Sequence, residues 1–132
     1  MGAPLLPVKN ARDGEGLTNR LEMATFTLGD RSFSCPVELS LSTVGSKWAA
    51  LVVWHLRTDT LRYSELRRRL TGVSHKMLSQ RLRDLEADGL ISRTVYPVVP
   101  PKTEYALTDE GRRLVPALEA MQRWGMAYKD VA

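Results

Sequence analysis

The segment over 61–107 constrains the fold most, because two short helical patterns joined by a glycine turn are followed by a change to β-type periodicity. Apolar residues at helical spacing predict a helix over 63–70, which ends at Gly72. A second helix is predicted over 74–88, where leucines repeat at helical spacing until Gly89 ends the helix. Two helices joined by a tight, glycine-containing turn are typical of a helix-turn-helix.

Two predicted strands follow, over 91–96 and 103–107, separated by the proline-rich loop over 97–102. Because proline cannot donate to a sheet ladder, the loop interrupts the strands and projects as a wing. Thr108 then caps a final helix whose apolar positions extend almost to the C-terminus. These positions are Leu114, Leu118, Met121 and Trp124. The order of elements predicts a winged helix-turn-helix.

The chain before this segment predicts two more helices and an arm. Pro36 suits the first position of a helix that Gly45 interrupts, and a second helix is expected over 47–57. Residues 1–30 contain several prolines and glycines without sustained periodicity, which indicates a loosely ordered arm. A short amphipathic turn is compatible with the sequence over 17–26.

The predicted fold class is α+β and mainly α, a winged helix-turn-helix domain over 31–132 with additional N- and C-terminal helices. A chain of 132 residues, 43% of them apolar, holds one such domain and can bury a core without disulfides. No apolar run is long enough to span a membrane and the N-terminal apolar stretch is too short for a signal peptide, so we expect a cytoplasmic protein. With two histidines and one cysteine, we expect neither a metal site nor a cofactor.

Basic residues are concentrated in the centre of the chain. The formal net charge is +4, but residues 60–102 hold nine Lys or Arg against four Asp or Glu, while the remaining segments are close to neutral. The nine are Arg62, Arg67, Arg68, Arg69, Lys76, Arg81, Arg83, Arg93 and Lys102. A local excess of this kind is typical either of a solvated surface or of a surface that binds a polyanion.

The second helix of a helix-turn-helix enters the major groove of DNA, where its outward side chains contact the bases. Gln can pair with adenine, whereas Arg and Lys suit guanine or phosphate. With its leucines buried, this helix leaves outward His75, Lys76, Ser79, Gln80 and Arg83. The alternative is an ordinary exposed helix face. Ser74 is most simply an N-cap, although such a hydroxyl and the neighbouring amides can also bind phosphate.

Further basic residues are candidates for contacts with the DNA backbone. Consecutive helical residues point about 100° apart, so Arg67, Arg68 and Arg69 cannot all face one way. We expect one or two of them, Arg67 and Arg68, at phosphate. In the wing, Arg93 and Lys102 are expected at the backbone or minor groove, with Lys102 at the hairpin tip. The alternative for each is a solvent-exposed charge.

Cys35 precedes the proline that starts the first predicted helix. The positive end of the helix dipole favours the thiolate there, which would make the residue oxidisable. The alternative is a buried small hydrophobe, the commonest role of a free cysteine. The three tryptophans are expected in the core or in a subunit interface, and His55 is expected to be a partly buried helical residue.

Several stretches resemble the HxlR family of bacterial transcription regulators. They are CPVELSLSTVGSKW at 35–48, the long segment from LRYSELRRRL to TEYALTDEGRRL over 61–114, and Trp-Gly at 124–125. The resemblance leaves the arm before residue 30 unmatched. It implies a MarR-like winged-helix homodimer on operator DNA, with the first and last helices serving dimerisation.

The resemblance also implies that some family members respond to electrophiles or oxidants through the cysteine that corresponds to Cys35. With no second cysteine an intramolecular disulfide is excluded, which leaves an intersubunit bridge, a mixed disulfide or alkylation. The resulting hypothesis is a sequence-specific, double-stranded-DNA-binding regulator of an inverted-repeat operator. Two alternatives are a winged-helix module that binds protein or RNA, and a thiol enzyme using Cys35 with His55 or His75, which no motif supports.

Overall fold

A computed structural model describes residues 25–129 of the chain. Within that range the chain forms five helices and five strands, and the expected winged helix-turn-helix of the α+β, mainly α class is confirmed. In chain order the elements are β1 (Phe26–Leu28), β2 (Arg31–Phe33), α1 (Pro36–Val44), α2 (Lys47–Leu56), β3 (Leu61–Arg62), α3 (Tyr63–Arg69), α4 (His75–Ala87), β4 (Ile91–Tyr96), β5 (Lys102–Leu107) and α5 (Asp109–Tyr128). Most of the arm expected over 1–30, and of the turn expected over 17–26, lies outside the described residues.

The chain divides into two compact units between Leu41 and Ser42. The described part of the first unit starts with an antiparallel hairpin that the sequence analysis did not predict. Phe26 pairs with Phe33 across a turn in which Gly29 takes a positive φ of 64°. Strands of three residues are too short to show periodicity, which is why the sequence pattern missed them.

Helix α1 begins at Pro36, as predicted. The amide of Leu39 donates to the carbonyl oxygen of Cys35 at 3.2 Å, which makes the first helical hydrogen bond. One carboxylate oxygen of Glu38 accepts from the amide of Ser34, also at 3.2 Å. These two contacts define the start of the helix and place the cysteine immediately before its first turn.

In the second unit, helices α2 to α5 and a small sheet enclose one apolar core. Val52 and Val53 of α2 and Leu66 of α3 are completely buried. The sheet has the strand order β3–β5–β4, with both pairs antiparallel. Strand β3 was not predicted, because two residues show no periodicity and this strand exists only through its pairing with β5. No helix in the described range 25–129 combines the length and apolarity needed to cross a membrane.

The helix-turn-helix is formed by α3, a turn and α4, as predicted. The hydroxyl of Ser74 accepts a hydrogen bond from the amide of Met77 at 3.0 Å and so caps α4. Gly72 takes a φ of 93°, which a residue with a side chain rarely adopts, and this lets the chain turn tightly between the helices. The three leucines of α4 are at most 2% exposed. Burial of this side directs the opposite side of α4 to solvent.

The wing is the hairpin of β4 and β5. Its register pairs Tyr96 with Lys102, so the loop covers residues 97–101. The expectation that Lys102 lies at the hairpin tip is therefore wrong, since it is the first residue of β5. The physical reason is that the prolines occupy the loop, whereas Lys102 has an amide that can join the sheet.

Thr108 links the start of α5 to the end of α4. Its hydroxyl donates to the carbonyl oxygen of Gly89 at 2.6 Å and accepts from the amide of Gly111 at 3.1 Å. A Cβ atom on Gly111 would collide with the carbonyl oxygen of Leu90, so α5 approaches the turn more closely than a side chain would permit. The first half of α5 is thereby joined to the helix-turn-helix.

Candidate nucleic-acid interface

The outward side of α4 carries a row of polar side chains opposite the buried leucines. Lys76, Gln80 and Arg83 follow one another at i, i+4 and i+7, a spacing that places them on one side of a helix. Lys76 and Arg83 are exposed and Gln80 is half-buried. We call these three side chains the reading row. Its two cations suit guanine or phosphate, and its amide suits adenine.

The reading row is engaged in contacts within α4. Gln80 donates from Nε2 to Oδ1 of Asp84 at 2.9 Å, and its Oε1 accepts from Nη2 of Arg83 at 3.0 Å. Arg81 contacts the same carboxylate, with 3.4 Å between Nη2 and Oδ2. Exposed contacts of this kind contribute at most about 1 kcal/mol each. Contacts with a nucleic acid can therefore replace them at small cost.

His75 and Ser79 form the adjacent row of α4, and both contact Tyr63 of α3. The phenol oxygen of Tyr63 is 2.5 Å from Nδ1 of His75 and 3.4 Å from Oγ of Ser79. The rings of Tyr63 and His75 meet edge to face, with 5.4 Å between centroids and 68° between planes. His75 nevertheless remains exposed. Two predicted contact residues are thus held by a tyrosine that the sequence analysis did not single out.

The three consecutive arginines of α3 are all exposed, and they differ in their partners. Nη1 of Arg69 lies 3.5 Å from Oδ2 of Asp59. Within residues 25–129, Arg67 and Arg68 make no ion pair with a carboxylate. The expectation that Arg67 and Arg68 contact phosphate stays a prediction.

Both predicted wing cations lie beside carboxylates. Nε of Arg93 is 3.3 Å from Oε1 of Glu86, which joins the wing to α4. Nζ of Lys102 lies 4.7 Å from the centroid of the Tyr96 ring and 3.9 Å from Oε2 of Glu104. The hydrogen bond from the Tyr96 hydroxyl to Glu104 raises the pKa of that phenol. To contact the DNA backbone, each cation would exchange a carboxylate for a phosphate.

The tip of the wing is apolar. Val99 is 99% exposed, and Val98 beside it is 51% exposed. An open cleft of about 520 Å³ separates this loop from the start of α3. Its lining consists of Arg62, Tyr63, Ser64 and residues 98–103. Arg62 adds a cation to this cleft that the sequence analysis counted in the basic segment and did not assign to the site.

Cys35 and His55 were the other candidates for chemistry. Cys35 is exposed, so the alternative of a buried small hydrophobe is wrong. His55 is half-buried in α2, as predicted. Burial chiefly, and then the positive charges of Arg69 and Arg57, lower the pKa of His55 from its usual value.

The site residues that sequence reasoning missed are those that act through tertiary contacts. Tyr63 meets His75 from twelve residues away, and Glu86 meets Arg93 across the junction of α4 and β4. A polar aromatic at the first position of α3 was the only sequence signal for Tyr63, and it does not reveal the partner. Asp84 was visible as an i+4 neighbour of Gln80, a spacing at which helical side chains meet.

The second half of α5 exposes an apolar face, here called the tail face, formed by Met121, Trp124 and Tyr128. These residues are 61%, 66% and 73% exposed, and the rings of Trp124 and Tyr128 stack with 4.7 Å between centroids. A groove of about 300 Å³ lies beside the tail face, between α2 and α5. It is lined by Ala50, Leu51, Trp54, Leu118, Met121 and Gln122. Trp124 therefore does not belong to the core of its own chain.

Comparison with known proteins places this geometry among regulators. A family model described as HxlR-like helix-turn-helix matches residues 43–132. An HTH-type transcriptional regulator of Methanothermobacter thermautotrophicus is 44% identical over 101 residues, which is 76% of this chain and 77% of the relative. The family and this relative are transcriptional regulators and not enzymes, which argues against the thiol-enzyme alternative.

Two solved structures have a similar fold. The redox regulator HypR in its oxidized form is 43% identical, has a TM-score of 0.69, and is matched over 74% of this chain and 100% of that chain. The reduced form of the transcriptional regulator YodB from B. subtilis is 32% identical, with a TM-score of 0.64, over 73% of this chain and 95% of that chain. Both similarities extend over most of the described residues.

Proposed function

Because the chain belongs to the HxlR-like helix-turn-helix family and is a helix-turn-helix regulator of transcription, we propose that it acts as a homodimer on an inverted-repeat operator. In this proposal α4 enters the major groove and the wing of β4 and β5 lies along the flanking backbone. In this proposal the protein works in the cytoplasm, where its operator DNA lies. No cofactor forms part of this proposal.

The observation that carries the proposal is the two-sided character of α4. One side of the helix is buried, while the other presents the reading row of Lys76, Gln80 and Arg83. The outer face of any surface helix is polar, but this row lies on the second helix of a helix-turn-helix, the element that enters the major groove. The basic excess over 60–102 surrounds this helix and supports binding to a polyanion.

The tail face supports the homodimer. Monomers rarely expose large contiguous apolar patches, and two stacked aromatic rings with a methionine on one side of a helix form such a patch. A second copy of the chain would bring the same face and the same groove, which suits a two-fold interface. In the first unit, Val37 and Leu41 of α1 are also more than 60% exposed and are further candidates for the dimer contact.

A two-fold dimer predicts the form of the operator. Its two reading helices would meet one face of the duplex, so the half-sites should form an inverted repeat with centres about 10 to 10.5 base pairs apart, or a multiple of this. Selection from a random duplex library with the full chain should enrich such repeats, and sedimentation at micromolar concentration should give a dimer. Equal affinity for selected and scrambled duplexes would instead favour a module that binds protein or RNA. A monomer whose sedimentation DNA does not change would contradict the dimer.

Cys35 supports a finer proposal, that oxidation or alkylation of this thiol changes operator affinity. The residue is exposed immediately before α1. Of the similar proteins, HypR is a redox regulator that was solved in an oxidized form, and YodB is a transcriptional regulator. A changed dimer contact would alter the spacing of the two reading helices. Diamide should change the operator affinity of the wild type and leave Cys35→Ser unchanged. If Cys35→Ser responds like the wild type, Cys35 is not the sensor.

A further inference from the structure

The contact between Tyr63 and His75 determines which hydrogen-bonding group His75 presents to the outside. The phenol oxygen lies 2.5 Å from Nδ1 of the imidazole. Its other neighbours, the main-chain oxygen of His75 and Oγ of Ser79, are both at 3.4 Å. A phenol hydroxyl can donate or accept. Because a phenol is the stronger donor and an imidazole nitrogen the stronger acceptor of the two groups, this short contact favours the hydrogen bond from the phenol to Nδ1.

An imidazole that accepts at Nδ1 carries its own proton on Nε2. If the ring is protonated, both nitrogens carry protons, and Nε2 is again a donor. Tyr63 therefore disfavours only the neutral form in which Nε2 would be an acceptor. Nε2 of His75 is then a donor both in the neutral form that this contact favours and in the protonated form.

His75 is the first residue of α4, and the N-terminal residues of a reading helix are those that contact base edges. In the major groove, guanine presents two acceptors, N7 and O6, whereas cytosine presents a donor at N4. An N–H donor clashes with cytosine, and it is complementary to guanine, to N7 of adenine and to O4 of thymine. Guanine differs from the other two in presenting two acceptors side by side.

We propose that His75 recognises a guanine through Nε2–H and that Tyr63 is the positioning residue that sets the proton on that nitrogen. This inference rests on the proposed function, since it names the base that one residue of the reading helix selects. It makes Tyr63 a determinant of specificity that acts through its contact with His75.

The proton position is tested first, without DNA. Nitrogen NMR of the full chain at a pH where the imidazole is neutral distinguishes the two forms of His75. The wild type should show Nε2 protonated and Nδ1 free, and Tyr63→Phe, which keeps the ring and removes the hydroxyl, should show a mixture. Tyr96→Phe is the matched control, because it removes a phenol hydroxyl bonded to Glu104 of the wing. A proton on Nδ1 in the wild type, or no change in Tyr63→Phe, would overturn the positioning role.

The guanine is tested with the duplex obtained by selection from a random library. Replacing each guanine in turn by 7-deazaguanine removes its N7 acceptor. At one guanine per half-site, the wild type should lose about fivefold to tenfold in affinity, consistent with the lower end of base discrimination. His75→Ala should show no loss at that position, and Tyr63→Phe should show a smaller loss than the wild type.

The two possible failures are distinguishable. If selection enriches no sequence, the proposed function fails, whatever the NMR result. If selection succeeds and His75→Ala remains as sensitive to every 7-deazaguanine as the wild type, His75 does not read guanine and the present inference fails alone.

Discussion

Helix α5 has two halves that follow one apolar spacing and differ in their surroundings. In residues 109–118 the apolar side chains pack against the domain core, and Leu118 is only 6% exposed. In residues 119–128 the spacing continues to Met121 and Trp124, which are 61% and 66% exposed. The boundary between the halves falls within one helical turn.

The comparison shows that an apolar stripe predicts a covered surface without specifying what covers it. The first half is covered by the chain's own helix α2 and sheet, so its apolar side chains are buried when the chain folds. In the proposed dimer the second half is covered by another copy, so its apolar side chains are buried only when two chains associate. Substitutions placed one turn apart should therefore separate folding from assembly.

The largest effect is expected at the last buried position. Leu118→Ala should lower the free energy of unfolding by about 2 to 5 kcal/mol, because it removes buried apolar atoms and leaves a cavity. Urea unfolding followed by circular dichroism measures this loss. The protein concentration should be low enough that only monomer is present.

Met121→Ala is the matched control for that prediction, since it shortens a side chain one turn further along the same helix. Its effect on the monomer should stay within about 0.5 kcal/mol, the range typical of exposed positions. Equal losses for Leu118→Ala and Met121→Ala would show that the two halves of α5 do not differ as the structure indicates.

The next effect concerns assembly. Trp124→Asp places a charge in the tail face, so sedimentation should show a monomer. The affinity for the full operator should fall on the order of 100-fold, because binding of one half-site no longer brings a linked second subunit to the other half-site. Affinity for a single half-site should be unchanged. Arg123→Ala, at the adjacent exposed position, should leave both measurements as in the wild type. Retention of the dimer by Trp124→Asp would place the interface elsewhere.

The sequence was sufficient to predict the elements that are encoded by a few neighbouring residues. The glycine turn at Gly72, the cap at Ser74 and the leucines of α4 each carry a short-range physical signal, and all three predictions are confirmed. Strand β3 and the hairpin at 26–33 were missed because strands of two or three residues exist through their partners.

The site was less predictable than the fold, because its contacts join distant residues. Periodicity placed His75 and Arg93 on outward surfaces and could not show that Tyr63 and Glu86 meet them. The same limit applies to Trp124, whose spacing was equally compatible with the core and with a subunit interface. Helical spacing determines the side of a helix, whereas the partner depends on the three-dimensional arrangement.

Substitutions in the reading row should behave oppositely to those in the tail face. Arg83→Ala should cost about 1 to 3 kcal/mol on the selected operator and relax the preference at one position, while the dimer persists. Gln80→Ala should do the same at another position. Anisotropy titrations on operator and scrambled duplexes measure the difference, and equal losses on both duplexes would contradict base reading.

The control for base reading is a wing cation proposed to bind phosphate. Arg93→Ala should weaken binding to operator and scrambled duplexes alike and reduce the slope of log affinity against log salt by about one unit. Lys102→Ala should behave in the same way. A loss confined to the operator would assign these residues to base recognition instead.

The smallest effect should come from pH through His55, and it should act on folding and leave the dimer contact unchanged. Burial chiefly, with Arg69 and Arg57, lowers the pKa of His55 in the folded chain. As pH falls from about 7 towards 5, the unfolded state binds a proton at this residue before the folded state does, so the free energy of unfolding decreases. In His55→Gln this part of the decrease should be absent when urea unfolding is repeated across the same pH range. Neither the tail face nor the lining of the groove beside it contains a histidine, so the dimer dissociation constant should stay nearly constant while stability falls. A stability curve for His55→Gln parallel to that of the wild type would show that His55 does not couple protonation to folding.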